Sequence, residues 1–579
     1  MRRLFLFLFT MMFVVARSQD IEAVIKAPVL NISGGVSANG ILTLVPGDSL
    51  AMKNPFAYSL SGNLNFSLFG VVNMPLSFTY SNQRFDKNFS LPFNRFALSP
   101  SYKWIKVYAG YTSMSFSPYT LAGHELLGGG VELTPDNGFK FSALFGRMKK
   151  ASDSIAEGME LSYTRLGGGF KAEYQKEKFG AGINIFKAQD LKNSLKFENT
   201  DSLSVLPQDN LTGGANFSLN VINGFRLSAE YGFSAINKNI SEQSDKFGFL
   251  KTKGDLSVYH AAKAQAAYSH RIGSLGATYE YVAPNYTTLG AYYMTNDFQN
   301  ITANLSTNIK KIALAFDAGY QTNNLDKQKD NTSSRFIYSG NASGSFFADK
   351  FNFAISFSNL QSYMYINDVY SQVTQTNPYE NLDTLNVTQL NYTASANIGY
   401  AIVNTKEQRQ NINANFMFQR SSENQQYSEL AGNNIYNASL SYQFSLNPAQ
   451  FNASATVSYN HTEMPQKAYS QAITYSLMLS KNFFKELKTS FAATYSDMNS
   501  EKGAVSDVFN LRLNAGYTLA KKHNFNFATT FLFTVNNVAA GDGTGTAPQV
   551  VKQKRTQYVI NISYAYSFGM TLTREEKKL

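Results

Sequence analysis

Between Val508 and Asn536 the chain alternates in two runs. Phe509, Leu511, Leu513, Ala515, Tyr517 and Leu519 are interleaved with Val508, Asn510, Arg512, Asn514, Gly516 and Thr518. The segment AKKH follows, and Phe525, Phe527, Phe531, Phe533 and Val535 then interleave with Asn524, Asn526, Ala528, Thr530, Leu532 and Thr534. Successive side chains of a strand point to opposite faces, so a period of two predicts a hairpin with one apolar and one wet face.

The pattern recurs almost to the end of the chain. It predicts paired strands at Phe56–Leu68 with Leu76–Gln83 across GVVNMP, Leu211–Val221 with Phe225–Ile236 across ING, and Tyr259–His270 with Leu275–Val282 across RIGS. Further pairs are Asn300–Ile309 with Ile312–Asn323, Arg335–Phe347 with Phe351–Tyr363, and Val387–Val403 with Gln410–Ser421. Asn434–Leu446 pairs with Phe451–Asn460, and Tyr469–Lys481 with Lys488–Met498. The connections between pairs are longer and rich in Asn, Asp, Ser, Thr, Gly and Lys, as at 190–210, 237–258, 283–298, 364–386 and 537–556. Short turns alternating with long loops are the mark of an outer-membrane barrel, with turns on the periplasmic side. Roughly nineteen strands from Met159 onward and about seven between Asn31 and Arg147 make an all-β, single large antiparallel barrel of about 26 strands, with 24 also open.

Composition decides which apolar phase the sheet faces. A mean hydropathy of −0.25 and the lack of an apolar run long enough for a helical span beyond the N-terminus leave strands as the spanning elements. A stack of soluble sandwiches would alternate too. Aromatic residues, however, make up 14% of the chain, with 46 Phe, 35 Tyr and the single Trp104, and they concentrate on the apolar face. A lipid-facing band with interfacial aromatics has that composition.

The chain begins MRRLFLFLFTMMFVVARSQD: Arg2 and Arg3, an apolar stretch from Leu4 to Val15, then Ala16 and Ser18 at the −3 and −1 positions of a cleavage site. The expected layout is a signal peptide over 1–18, a short periplasmic segment over 19–30, the transmembrane barrel over 31–568 and a periplasmic tail over 569–579. Strands starting by about Asn31 leave no room for an N-terminal plug domain. The chain has no Cys, which removes disulfides, thiolate metal sites, a Cys nucleophile and lipidation of an N-terminal Cys.

The polar faces are neutral. Asn452, Ser454, Thr456 and Ser458, then Asn411, Asn413 and Asn415, then Asn352, Ser356 and Ser358 alternate on single strands, and the lumen charges are sparse: Arg226, Glu230, Asp317 and Arg512. Ion-selective pores use rings of like charge, so this lumen suits uncharged or polymeric solutes, a water-filled vestibule, or an enclosed polypeptide. The net charge of +11 is concentrated in short turns, at Lys176, Lys178, Arg271, Lys310, Lys311, Lys350, Lys406, Arg409, Lys481, Lys485, Lys488, Lys521, Lys522 and His523. These residues face outer-membrane lipid headgroups or an envelope protein partner, or are simply solvated. Nucleic acid is not an expected partner.

Candidate chemistry is thin. The five His residues (His124, His260, His270, His461 and His523) form neither HExxH nor a close pair, and no GxSxG is present. No enzyme activity and no cofactor is expected. Residues 117–133, SPYTLAGHELLGGGVEL, stand apart: Pro118, His124, Glu125, Gly128, Gly129 and Gly130 imply a compact loop that narrows the lumen. AAGDGTGTAP around Asp542 and LDKQKDN at 325–331 lack the full spacing of calcium loops.

Gln19 after the signal, NISGGVSANG (31–40), FAYSLSGNLNFSLFG (56–70), residues 117–133 and NYTTLGAYYMTNDFQNIT (285–302) together resemble a group of large outer-membrane barrels of the Bacteroidota. The resemblance implies fold and location and transfers no functional residue. The aromatic end of the last strand, Tyr558, Tyr564, Tyr566 and Phe568, resembles the signal read by barrel-assembly machinery, although GMTLTREEKKL follows it. Two functions stay open: a porin-like channel or translocation pore, and a non-catalytic scaffold of an envelope complex whose lumen is closed by its own loops or a partner.

Overall fold

A computed structural model describes residues 28–46, 55–82, 94–152, 161–195, 205–240, 246–247, 250–251, 256–328, 334–359, 361–363, 388–425, 428–464, 468–501, 506–540 and 549–573. The predicted signal peptide and the calcium-like segment around Asp542 lie outside them. The described strands, apart from the short pair Lys246–Phe247 and Leu250–Lys251, form one antiparallel ring. Its sheet holds 28 hydrogen-bonded segments. Two strands are interrupted, Arg95–Leu98 with Ser101–Tyr102 and Phe351–Ser358 with Gln361–Tyr363, so the ring has twenty-six strands. It closes where Leu30–Leu44 pairs with Gln549–Leu572, from Leu30 opposite Leu572 to Leu44 opposite Tyr558. Closure leaves no unpaired edge, the condition for a sheet to stand in an apolar phase.

The opening hairpin is Ser506–Leu519 with His523–Ala540, in the register Phe509–Phe533, Leu511–Phe531 and Tyr517–Phe525. Phe509, Leu513, Tyr517, Phe525 and Phe527 are exposed on the outer surface, whereas Val508 and Thr530 are buried on the inner one.

Twelve connections at one end of the described ring are two to five residues long. Most of them use left-handed backbone: Phe69, Lys103, Lys310, Phe347, Ala348, Asp349, Gln450, Phe484, Ala520 and Lys521 have positive φ, and Gly138 and Gly224 supply it in two further turns. Turns of that hand match the twist of the strands they join. Both described chain ends lie at this end as well.

The opposite end departs from a uniform row of long loops. Connections there range from two residues at 426–427, and five at 464–468 and 501–505, to twenty-four at 364–387. The expected 537–556 loop is shortened because Val538, Ala539 and Ala540 pair with Val551, Val550 and Gln549. Two other boundaries move. The strand expected from Leu76 begins at Val72, because the Pro75 carbonyl accepts a hydrogen bond from the Ser99 amide (2.9 Å) and the missing N–H of proline is tolerated. The last strand runs past Phe568 to Leu572, since Gly569, Met570, Thr571 and Leu572 partner Ser33, Ile32, Asn31 and Leu30.

Candidate functional site: a half-filled lumen

The outer surface carries large apolar side chains all round, among them Phe145, Ile183, Ile301, Phe336 and Leu440, each more than half exposed. Apolar area left in water costs about 25 cal/mol per Å², and soluble proteins rarely leave continuous patches of this extent. The belt requires an apolar phase.

The interior is filled unevenly. From Ile105–Ser115 to Phe298–Ile309 the inward side chains in the half of each strand nearer the long loops are largely buried, whereas Arg226 and Lys140, nearer the short turns, are exposed. Met114, Phe116, Leu121, Leu126, Leu144, Met148, Phe186, Ala188, Ile236 and Leu289 form one apolar cluster. Tyr119, Ala261, Val282, Tyr286 and Phe298 form a second. Two connections from the long-loop end, 116–121 and 283–297, turn inward to build these cores.

A row of polar side chains holds them. Glu230, Lys263 and Glu280 are register partners on three neighbouring strands, with Lys263 Nζ 3.8 Å from Glu280. The Ser117 hydroxyl donates to Glu230 at 2.5 Å, and the Tyr119 phenol to Glu280 at 2.7 Å. Thr120 donates to Asn184 at 2.7 Å. The second connection then locks onto the first: Tyr286 OH donates to the Tyr119 carbonyl and Thr288 to the Thr120 carbonyl, both at 2.7 Å. The Leu289 amide donates to Asn210 Oδ1 at 2.9 Å. Burial, then Glu280, raises the Tyr119 phenol above its ordinary range. Burial, then Tyr231 and Glu230, does the same for Tyr286. Both remain neutral donors through neutral pH.

The residues expected to form one constricting loop separate. Pro118 alone lies in the 116–121 connection, where it is exposed, while His124, Glu125, Gly128, Gly129 and Gly130 belong to the strand Ala122–Leu133. Gly128 belongs to a lane of glycines across the wall. Gly110, Gly128, Gly146 and Gly167 are successive register partners, and a Cβ on Gly128 would sit 2.1 Å from the Phe145 carbonyl. The lane leaves room for bulky neighbours, since a Cβ on Gly167 would meet Met148 Sδ at 2.3 Å. His124 is buried with its ring stacked 4.0 Å from that of Tyr292, and Glu125 pairs with Arg95 at 3.3 Å. His124 thus seats the second connection on the wall.

Arg226, Glu230, Asp317 and Arg512 all fall on inward positions by alternation with exposed Leu227, Tyr231, Phe316 and Leu513. Glu230 is taken up by Ser117, and Asp317 accepts from Ser339 at 3.0 Å. The structure adds Tyr119, Asn184, Asn210, Lys263, Glu280, Tyr286 and Tyr292 to the site. The signal of Asn184, Asn210, Lys263 and Glu280 is the row of inward polar positions on adjacent strands, readable only once register is known; Tyr119, Tyr286 and Tyr292 lie in the two inward connections.

Elsewhere in the ring, the arc from Ser334–Phe346 to Gln549–Leu572 is largely accessible inside, with single buried positions such as Val508 and Thr530. Asn352, Ser356 and Asn452 are exposed, and Asn411, Asn413, Asn415, Ser454, Thr456 and Ser458 are half-buried. These groups bond sideways along the wall: Ser356 with Ser395 at 2.7 Å, Thr474 with Ser496 at 2.8 Å, Asn514 with Ser490 at 3.0 Å. Their remaining donors and acceptors face the interior, which makes a neutral, wettable surface.

No protein-family model and no curated protein matches the chain. Solved structures similar to it include the P pilus usher PapC translocation pore, 11% identical over 94% of this chain and 100% of that one, with a TM-score of 0.36. The ferric citrate transporter FecA in its unliganded form is 10% identical over 94% and 79%, at 0.38. A BenF-like porin from Pseudomonas fluorescens Pf-5 is 8% identical over 93% and 99%, at 0.29. At these scores the likenesses carry no functional weight. The chain is a closed, antiparallel, twenty-six-strand β-barrel with one side of its lumen packed.

Proposed function

We propose that the chain is exported by residues 1–18 to the outer membrane and acts there as a channel for uncharged or polymeric polar solutes. One observation carries the reading: an arc of accessible Asn, Ser and Thr runs beside an arc that the protein has packed shut. The packed arc narrows the bore, and the open arc supplies neutral hydrogen-bonding groups that exchange readily with water. Without a ring of like charge the path has no strong ion preference. Short turns, with both described chain ends, face the periplasm, and the long connections face outward.

A second reading, a scaffold subunit closed by its own loops or an envelope partner, draws on the packed arc. Planar bilayers separate the two. Purified protein is expected to insert with stepwise conductance, a cation-to-anion permeability ratio near one, and partial block by neutral oligosaccharides. Bilayers that stay silent over repeated reconstitutions with folded protein would favour the scaffold.

A further inference from the structure

Three adjacent turns at the short-turn end carry cations beside bare apolar side chains. The strands Leu256–His270, Gly273–Val282, Phe298–Ile309, Ile312–Asn323, Ser334–Phe346 and Phe351–Ser358 are consecutive in the ring. Their turns are Arg271–Ile272, Lys310–Lys311 and Phe347–Lys350. Strands lie about 4.8 Å apart, so neighbouring turns are roughly 10 Å apart, the scale of a phospholipid headgroup. Ile272 is 65% exposed, Ile309 55% and Phe347 79%. Ile309 shares the strand face of exposed Ile301 and Leu305, so it continues the outer apolar belt down to the rim.

The last turn is held in a costly shape. Phe347, Ala348 and Asp349 all have left-handed φ, at 52°, 55° and 66°, a region that disfavours side chains bearing a Cβ. Asp349 fastens it: its carboxylate accepts from Ser345 at 2.6 Å and from Lys311 at 2.9 Å, and those two partners, Ser345 first, hold its carboxyl below the usual range. Such strain persists where the surroundings enforce it, and it often marks function. Here it projects the phenyl ring of Phe347 out of the turn. Lys311 is engaged by Asp349, while the side-chain cations of Arg271, Lys310 and Lys350 are exposed and make no ion pair among the described residues. A basic cluster over an apolar belt at the membrane boundary fits an anionic headgroup above acyl chains.

We propose that Arg271, Lys310 and Lys350, with Phe347, form a seat for the phosphate headgroup of an acidic glycerophospholipid in the periplasmic leaflet. The seat rests on the outer-membrane reading. Its test uses the full chain with Trp104→Phe and Phe347→Trp, which leaves one tryptophan, in the seat. In bilayers mixing phosphatidylglycerol with phosphatidylcholine, quenching is compared when one lipid or the other is brominated. Enrichment of phosphatidylglycerol by at least about threefold over its bulk fraction is expected. It should fall to bulk in Arg271→Gln/Lys310→Gln/Lys350→Gln and persist in Lys521→Gln/Lys522→Gln on a distant turn. Equal quenching by both lipids, or enrichment that survives the triple substitution, overturns the seat while leaving the membrane reading intact. Quenching by neither lipid overturns both.

Discussion

Tyr286→Ala is expected to release the second inward connection and widen the pore without opening the ring. Tyr286 is fully buried, edge-on to Tyr119 with ring centroids 6.4 Å apart, and donates its hydroxyl to the Tyr119 carbonyl. Truncating a buried aromatic of this size costs about 3–5 kcal/mol. That loss falls on a short segment held by side-chain contacts, whereas the wall is held by a closed ladder of backbone hydrogen bonds. In bilayers the variant should show larger and noisier single-channel steps than the parent, and its heat-resistant folded form should persist. Tyr286→Phe removes only the hydrogen bond, about 1–3 kcal/mol for the carbonyl left unpaired, and should lie between. Unchanged conductance in a folded Tyr286→Ala protein would mean that the connection does not narrow the path.

A charge on the outer face should destabilise strongly and the same charge one residue along should not. Leu440 is 56% exposed, within the strand Ser428–Leu446, and is opposite Ala414 and Val457. Its outer face continues through Tyr436 and Tyr442. Arginine at the midplane of a lipid-facing strand costs about 2–4 kcal/mol, so Leu440→Arg should shift equilibrium unfolding in lipid vesicles by that amount. Ser441 points inward, opposite Asn413 and Thr456. Ser441→Arg should leave stability within about 0.5 kcal/mol and tilt the pore toward anions. Equal costs at the two positions would remove the distinction between lipid and lumen faces on which the orientation depends.

The wall was readable from sequence because its rules are local. Alternation sorts Leu513 from Arg512, and turn segments such as KK at 310–311 and ADK at 348–350 place the ends of strands within a few residues. The filling of the lumen was not readable, because its contacts span the chain: Ser117 to Glu230 is 113 residues, Tyr119 to Glu280 is 161, and Thr288 to Thr120 is 168. Gly128, Gly129 and Gly130 show the same limit. Locally a glycine run reads as a loop, and only the neighbouring register, with Gly110, Gly146 and Gly167 in line with Gly128, makes it part of the wall. Alternation marks Glu230 as an inward charge, but its partner, the Ser117 hydroxyl, is visible only in the fold.

The protein has no cysteine, so single cysteines report access without interference. Ser454 lines the open arc, Asn184 lies under the packed one bonded to Thr120, and Val457 faces outward. With protein in sealed vesicles and a charged, membrane-impermeant thiol reagent in the water, Ser454→Cys is expected to be labelled while Asn184→Cys and Val457→Cys are protected. Protection of all three, or labelling of Val457→Cys as fast as Ser454→Cys, would contradict a membrane barrel with one side of its lumen open.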